Sequence, residues 1–204
     1  NKEENNMDKR QKRTNNYLKK GLTQLLSTQN YSDITIQQLA EASHINRSTF
    51  YLHYQSKDDF IVSIIDETIT ELLDYVKRDS SSEDAIFSSE FKVSFYKLLE
   101  YIEMNYEFIR VLFINMNNTR FRSLLVEKVR ENIFLPLLEK NHVSLTFKNE
   151  IALNFIIHGH LGVIERWIND NVQYSSHYIA QVMLEIANTN PFELLGIESE
   201  LEER

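Results

Sequence analysis

The stretch from Ile34 to Lys57, ITIQQLAEASHINRSTFYLHYQSK, constrains this chain more than any other. Ile36, Leu39 and Ala40 fall at i, i+3 and i+4, one apolar stripe of a short helix that Thr35 is placed to cap. Asn46 is placed to cap a second helix carrying Arg47, Ser48, Thr49, Phe50, Tyr51 and Tyr54. Phe50 and Tyr54 lie one turn apart and turn inward, which leaves Arg47, Ser48 and Tyr51 on the outer side. A helix face offering a guanidinium, hydroxyls and an aromatic ring suits a major groove flanked by phosphates. The spacing predicts a helix-turn-helix in which Asn46–Leu52 is the reading helix.

The run Thr35-Ile-x-x-Leu-Ala-x-Ala, followed by Ile45-Asn-x-x-Thr-Phe-Tyr-x-His-Tyr-x-x-Lys57, resembles the DNA-binding domain of the tetracycline-repressor (TetR/AcrR-like) family. The matching motif covers about residues 10–60, and beyond residue 80 the resemblance is one of architecture. It implies an all-helical homodimer whose C-terminal domain holds a small-molecule effector and repositions two recognition helices on a palindromic operator. Carried onto this chain, it implies phosphate contacts from Thr35, Tyr51 and Lys57, and base-edge contacts from Arg47, Ser48 and Thr49. Arg47 is the expected reader of a guanine, and Asn46 and His53 complete the expected DNA-binding set. Three positions depart from the family pattern: His44 replaces the turn glycine, Ser48 a glycine early in the recognition helix, and Asn30 a glycine before Tyr31. Histidine is among the residues that best tolerate positive φ, so the turn survives.

Composition agrees with an all-α fold. Four glycines and two prolines in 204 residues leave little turn chemistry for a β-rich chain. We expect a three-helix helix-turn-helix domain over 9–56 and a larger effector-binding and dimerisation domain over 57–204, with about nine or ten helices. The net charge of −8 conceals an asymmetry. Residues 1–57 carry nine Lys or Arg against five Asp or Glu, and the remainder thirteen against twenty-five. A basic module on an acidic body is what phosphate-directed binding requires. The absence of cysteine excludes disulfides and thiolate metal sites, and polar leading residues without a long apolar run predict a cytoplasmic chain with no membrane segment.

Along the chain, residues up to about Lys9 read as a frayed tail, and a first helix as Lys9 to Thr28 with Leu18, Leu22, Leu25 and Leu26 inward. Ser56 caps a long helix reaching about Arg78, with Asp58 and Asp59 complementing its dipole. Polar breaks fall at Asp79–Asp84 and in the MNNT stretch from Met116. Pro136 kinks the stripe that starts at Phe121. Long helices follow over Thr146–Asp170 and Ser175–Ala187, then a short turn from Pro191 and an acidic tail.

The resemblance carries dimer pairing onto Gly159, Gly162, Ile164 and Trp167 of the first of these long helices, and Tyr178, Val182 and Ile186 of the second. It also implies an apolar effector pocket, for which Tyr101, Met104, Phe108, Phe113, Phe155 and His158 are the candidates, with Tyr96 and Met116 alongside. Aromatic stripes at helical spacing are usually plain core, so the pocket rests on the resemblance and not on spacing. His158 and His160 point to different sides of a helix, so no metal site is expected, and no cofactor or catalytic constellation is recognised. The expected activity is ligand-responsive repression through operator DNA. The rival is a sensor of the same fold that acts through a protein partner.

Overall fold

The computed structural model describes residues 2–77, 89–115, 119–189 and 191–196, and the regular structure among them is helical throughout. In order these are α1 (Lys2–Leu26), a 3-10 turn (Tyr31–Asp33), α2 (Ile36–Ala42), α3 (Arg47–His53), α4 (Lys57–Lys77) and α5 (Ser89–Met104). Then come α6 (Tyr106–Arg110), a π-helical turn (Val111–Asn115), α7 (Thr119–Val129), a second π turn (Arg130–Phe134) and α8 (Leu135–Lys140). The last are α9 (Phe147–Asn169), α10 (Ser176–Asn188) and α11 (Pro191–Leu194). The fold is all-α, with an N-terminal helix-turn-helix followed by a helical C-terminal domain. Among the described residues no helix is long and apolar enough to cross a membrane. The polar break at Asp79–Asp84, Met116–Asn118 and most of the acidic tail lie outside the described residues.

Helix α1 starts at Lys2, not at Lys9. Its first residues carry no apolar stripe, but Lys and Glu are good helix formers and no breaker interrupts them. Pro136 does not kink a continuous helix either. It sits in the first turn of α8, where its missing N–H is harmless, and the π turn absorbs the break ahead of it.

The chain divides into two compact units, residues 1–72 with 105–131, and residues 73–104 with 132–204. By contacts, α6 and α7 group with α1 to α3 and with α4 as far as Leu72. The first unit buries Leu18, Leu22 and Leu26 of α1, Leu39 and Ala40 of α2, Phe50 of α3, and Phe60, Ile61, Ile64 and Ile65 of α4. Phe50, Tyr54 and Phe60 meet with ring centroids 5.1 to 5.8 Å apart, in tilted and edge-to-face arrangements. The second unit packs α10 against α5 and α9. Its core is Leu99 and Ile102, Leu153, Ile157, Leu161, Ile164 and Trp167, and Ile179, Ala180 and Met183. Glu103 of α5 accepts from the backbone N–H and the hydroxyl of Ser176 at 3.2 and 2.6 Å, holding a carboxylate on the positive end of α10.

Turns without glycine rely on left-handed histidine and asparagine. After α2, His44 has φ 53°, its N–H donates to Glu41 O, and the Ile45 N–H reaches back to Ala40 O. That is a Schellman ending with histidine in the glycine position. His142 (φ 54°) after α8 and Asn171 (φ 57°) after α9 repeat the pattern.

One glycine is required by packing. A Cβ on Gly21 of α1 would collide with Ser43 Oγ and stand 2.9 Å from Ser43 N and 3.0 Å from Ala42 C, so α1 and α2 cross too closely for a methyl group. Alanine is the better helix former by about 1 kcal/mol. Even so, Gly21→Ala is expected to destabilise the protein by about 1–3 kcal/mol in urea titrations, because backbone as well as side chain must move. A more stable variant would contradict this crossing.

Candidate nucleic-acid interface

The N-terminus of α2 is fixed by a reciprocal cap. Thr35 Oγ1 accepts from Gln38 N at 3.2 Å, while the Thr35 N–H donates to Gln38 Oε1 at 2.8 Å. Asn46 occupies the N-cap position of α3 in extended conformation, but its side chain makes no capping bond, contrary to the sequence expectation. Its carbonyl instead accepts from Thr49 N and Phe50 N, so the start of α3 is closed by backbone alone. The exposed amide of Asn46 is left beside the reading face.

Arg47, Ser48 and Tyr51 are exposed as expected, Thr49 and His53 are half-buried, and Thr35 is exposed at the start of α2. The Arg47 guanidinium lies over the Tyr51 ring at 5.5 Å and donates to its hydroxyl at 3.3 Å. The pair restricts a long side chain before any partner arrives, which reduces the entropy lost on binding. Leu52, absent from the expected set, is 80% exposed and one turn beyond Ser48. Its i+4 spacing from Ser48 was the available signal.

Lys57 departs from its expected phosphate role. Its ammonium donates to three carbonyls, Tyr31 O at 2.7 Å, Ser32 O at 3.3 Å and Ile34 O at 2.7 Å, and stands 4.4 Å from the Tyr31 ring centroid. An ammonium has three protons, and all three are engaged. The Tyr31 hydroxyl in turn donates to Lys57 O at 2.8 Å. This reciprocal clasp joins the segment entering α2 to the start of α4, positioning the Thr35 cap.

Behind the reading face a polar chain crosses the core. Tyr54 OH donates to Asn15 Oδ1 at 2.7 Å, and Asn15 Nδ2 donates to Glu67 Oε2 at 3.2 Å. Lys19 pairs with Glu67 at 3.6 Å and Glu71 at 3.2 Å. The residue that ends α3 is thus tied to α1 and, through it, to α4.

The expected effector residues do not gather at one described cavity. Phe108 and Phe113 belong to the first unit, Phe108 beneath Lys19 Nζ at 5.8 Å and Phe113 edge-to-face with Phe121 at 4.8 Å. In the second unit Tyr101 is buried, whereas Met104 is 58% and Phe155 76% exposed, and His158 is exposed with Nδ1 at 2.9 Å from Asn154 O. A shallow cleft of about 430 Å³ in that unit is lined by Tyr96, Gln181, Leu184, Glu185 and Asn188, none of them among the six expected effector residues. Among the described residues no cluster of His, Cys, Asp or Glu could hold a metal ion.

Of the expected dimer residues, Ile164 and Trp167 are buried inside the second unit, where Trp167 Nε1 donates to Tyr174 O at 2.8 Å. They support the outer face from behind. Gly159 and Gly162 are exposed, and a Cβ on either would meet nothing within 4 Å. Tyr178 and Ile186 are exposed and Val182 half-buried. Phe147, Ile151 and Phe155 continue the outer stripe of α9 at four-residue spacing, each more than half exposed.

A capped helix, a left-handed turn and a short second helix with an exposed Arg–Tyr face define a helix-turn-helix DNA-binding head. Residues 20–64 match the family model described as bacterial regulatory proteins, tetR family, and residues 89–189 match the TetR-type transcriptional regulator C-terminal region. The chain belongs to the TetR family of transcriptional regulators. It is 34% identical over 79 residues to the uncharacterised HTH-type transcriptional regulator YxbF of Bacillus subtilis (strain 168), an alignment spanning 38% of this chain and only 21% of that protein. Its fold is shared with the fatty acid degradation regulator FadR from Bacillus halodurans (TM-score 0.63, 14% identity, 84% of this chain and 94% of that one). It is also shared with a TetR transcriptional regulator from Streptococcus agalactiae 2603V (TM-score 0.64, 17% identity, 88% and 96%). The dihydroxyacetone kinase operon activator DhaS has the same fold (TM-score 0.57, 16% identity, 91% and 98%).

Burial pushes the Tyr54 phenol above its ordinary value of 10.0, with the Glu67 and Asp59 charges adding and hydrogen bonds with Ser63 and Asn15 opposing. The neutral phenol therefore stabilises the fold below the unfolded value, and that contribution is lost as pH rises through the higher folded one. Tyr54→Phe is expected to cost about 1–2 kcal/mol at neutral pH, since it strands Asn15 Oδ1. It should also flatten the decline in stability above pH 10, as read from urea midpoints across the alkaline range. Parallel alkaline limbs in the two proteins would remove Tyr54 from that titration.

Proposed function

We propose that the protein is a ligand-responsive repressor that binds a palindromic operator as a homodimer, with 9–56 as the reading module and 57–204 carrying effector binding and dimerisation. The observation that carries the reading is the outer face of α3, where Arg47 is held over Tyr51 beside the exposed Ser48. Arg47 reads a guanine edge, and Ser48 and Thr49 approach neighbouring bases. Leu52 meets a thymine methyl, the natural partner of an exposed aliphatic group in a major groove. Thr35 and Tyr51 bind phosphate, with Asn46 and His53 at the margins, while Lys57 shapes the site through its clasp.

The stripe of Phe147, Ile151 and Phe155, running on to the open faces of Gly159 and Gly162, supports pairing with a second copy of α9 and α10. Exposed aromatic and aliphatic side chains in a row favour burial, and two glycines let another helix approach closely. A two-fold pair places two copies of α3 about 34–36 Å apart, one DNA turn, and an effector acts by preferring one of two such spacings.

Two experiments test this reading. In titrations against the promoter DNA beside its own gene, Arg47→Ala should weaken binding by about 1–3 kcal/mol and relax preference at one base pair per half-site. Binding that is weak and insensitive to salt in the wild type, or an unchanged sequence preference in the variant, would sink direct readout. Separately, Phe155→Glu alters a side chain that is 76% exposed within the subunit, so the fold should persist while sedimentation shifts from dimer to monomer and operator affinity drops. A monomeric wild type would overturn the pairing.

A further inference from the structure

We infer that Arg110 is the anion anchor of an effector site, and that the effector is an organic monocarboxylate with an apolar body. The inference rests on the ligand-responsive reading above and names the chemistry of its ligand. Arg110 ends α6 in the first unit, flanked in sequence by buried Ile109, Val111 and Leu112. Its Nε is buried and has no hydrogen-bond partner, and among the described residues its guanidinium makes no ion pair. A guanidinium stays charged at any physiological pH, so a buried N–H without an acceptor is costly until an anion supplies one.

Arg110 is satisfied in neither of the two ways common for an arginine on a helix. Glu107, exposed and one turn earlier on the same side of the helix, offers a carboxylate that Arg110 does not take. A cation at a helix end can satisfy the last carbonyls, but here the chain continues directly into the π turn Val111–Asn115. Such turns are rare and recur at functional sites.

The neighbours specify the class of ligand. Within four residues of Arg110 in sequence stand half-buried Tyr106 and Phe113 and the partly exposed Ile114, aromatic and aliphatic groups that suit a hydrocarbon body. Among the cations of the same unit, Lys19, over Phe108, is already held by Glu67 and Glu71, Lys128 pairs with Asp66, and Arg122 and Arg130 have partners of their own. A single available guanidinium fork balances one carboxylate, whereas a phosphoryl dianion would call for a second cation.

The test is scanning calorimetry of the full-length chain with 1 mM decanoate or 3-phenylpropionate, each compared with its primary amide, alongside operator binding in the same samples. At least one acid should raise the melting temperature by about 2–4 °C while its amide does not. Arg110→Gln should abolish that shift and Arg110→Lys should keep part of it. Equal shifts from acid and amide, an Arg110→Gln response matching wild type, or no shift from either acid would each overturn the inference. The acid–amide comparison on wild type stands even if a variant fails to fold. If operator binding persists while the acids are silent, only the ligand class falls; if operator DNA is not bound at all, the regulator reading falls as well.

Discussion

A seven-residue helix does not hold its shape in water, because nucleating the first turn costs more than so few hydrogen bonds return. Helix α3 therefore exists because Phe50 and Tyr54 anchor its inner side against Phe60 of α4. Phe50 alone would fix the helix in the apolar core. The Tyr54 hydroxyl adds direction, since its bond to Asn15 is satisfied at one geometry, and Asn15 is in turn committed to Glu67. Any tilt of α3 must break a buried hydrogen bond as well as disturb packing. In a low-dielectric interior that penalty is larger than at the surface. The outer face of α3 inherits its aim from this inner side.

The same economy of means governs the turns. With four glycines in 204 residues, most helices cannot end in the conformation glycine favours, yet three end there. His44, His142 and Asn171 accept a left-handed backbone in return for two capping bonds each. At His44 the choice shapes function, because this turn sets the angle between α2 and α3. The close crossing of Gly21 over Ala42 and Ser43 holds this same C-terminal end of α2 against α1, so the turn is set beside a fixed helix contact.

Where periodicity was strong, the sequence was legible. The stripe of Leu18, Leu22 and Leu26, the inward Phe50 and Tyr54, the caps at Thr35 and Ser56 and the span of α9 could all be read from residue spacing. What escaped reading depended on partners distant in sequence or on geometry finer than a residue pattern. Nothing local to Lys57 announces three carbonyls from residues 31, 32 and 34. Asn46 has the right side chain for a cap, but the backbone already closes that turn. The π turns follow no hydrophobic repeat. Ile164 and Trp167 were visible as apolar, but which side of α9 faced inward depended on α10 and α5.

That last point separates two kinds of exposed apolar side chain. Leu52 is 80% exposed among polar neighbours on a helix that offers a guanidinium and hydroxyls, and a lone leucine there adds little driving force for a broad protein contact. Phe147, Ile151 and Phe155 share one stripe, and their combined area favours a surface that can cover all of them at once. Gly159 and Gly162 extend that stripe with open space, and a glycine inside a helix is disfavoured unless a neighbour exploits the missing side chain. A second α9 would fill that space and bury the rings in one step, as the proposed pairing requires, and a two-fold axis would present the same surface to itself. The two exposures thus differ in kind: one is narrow and set among polar groups, the other wide and apolar.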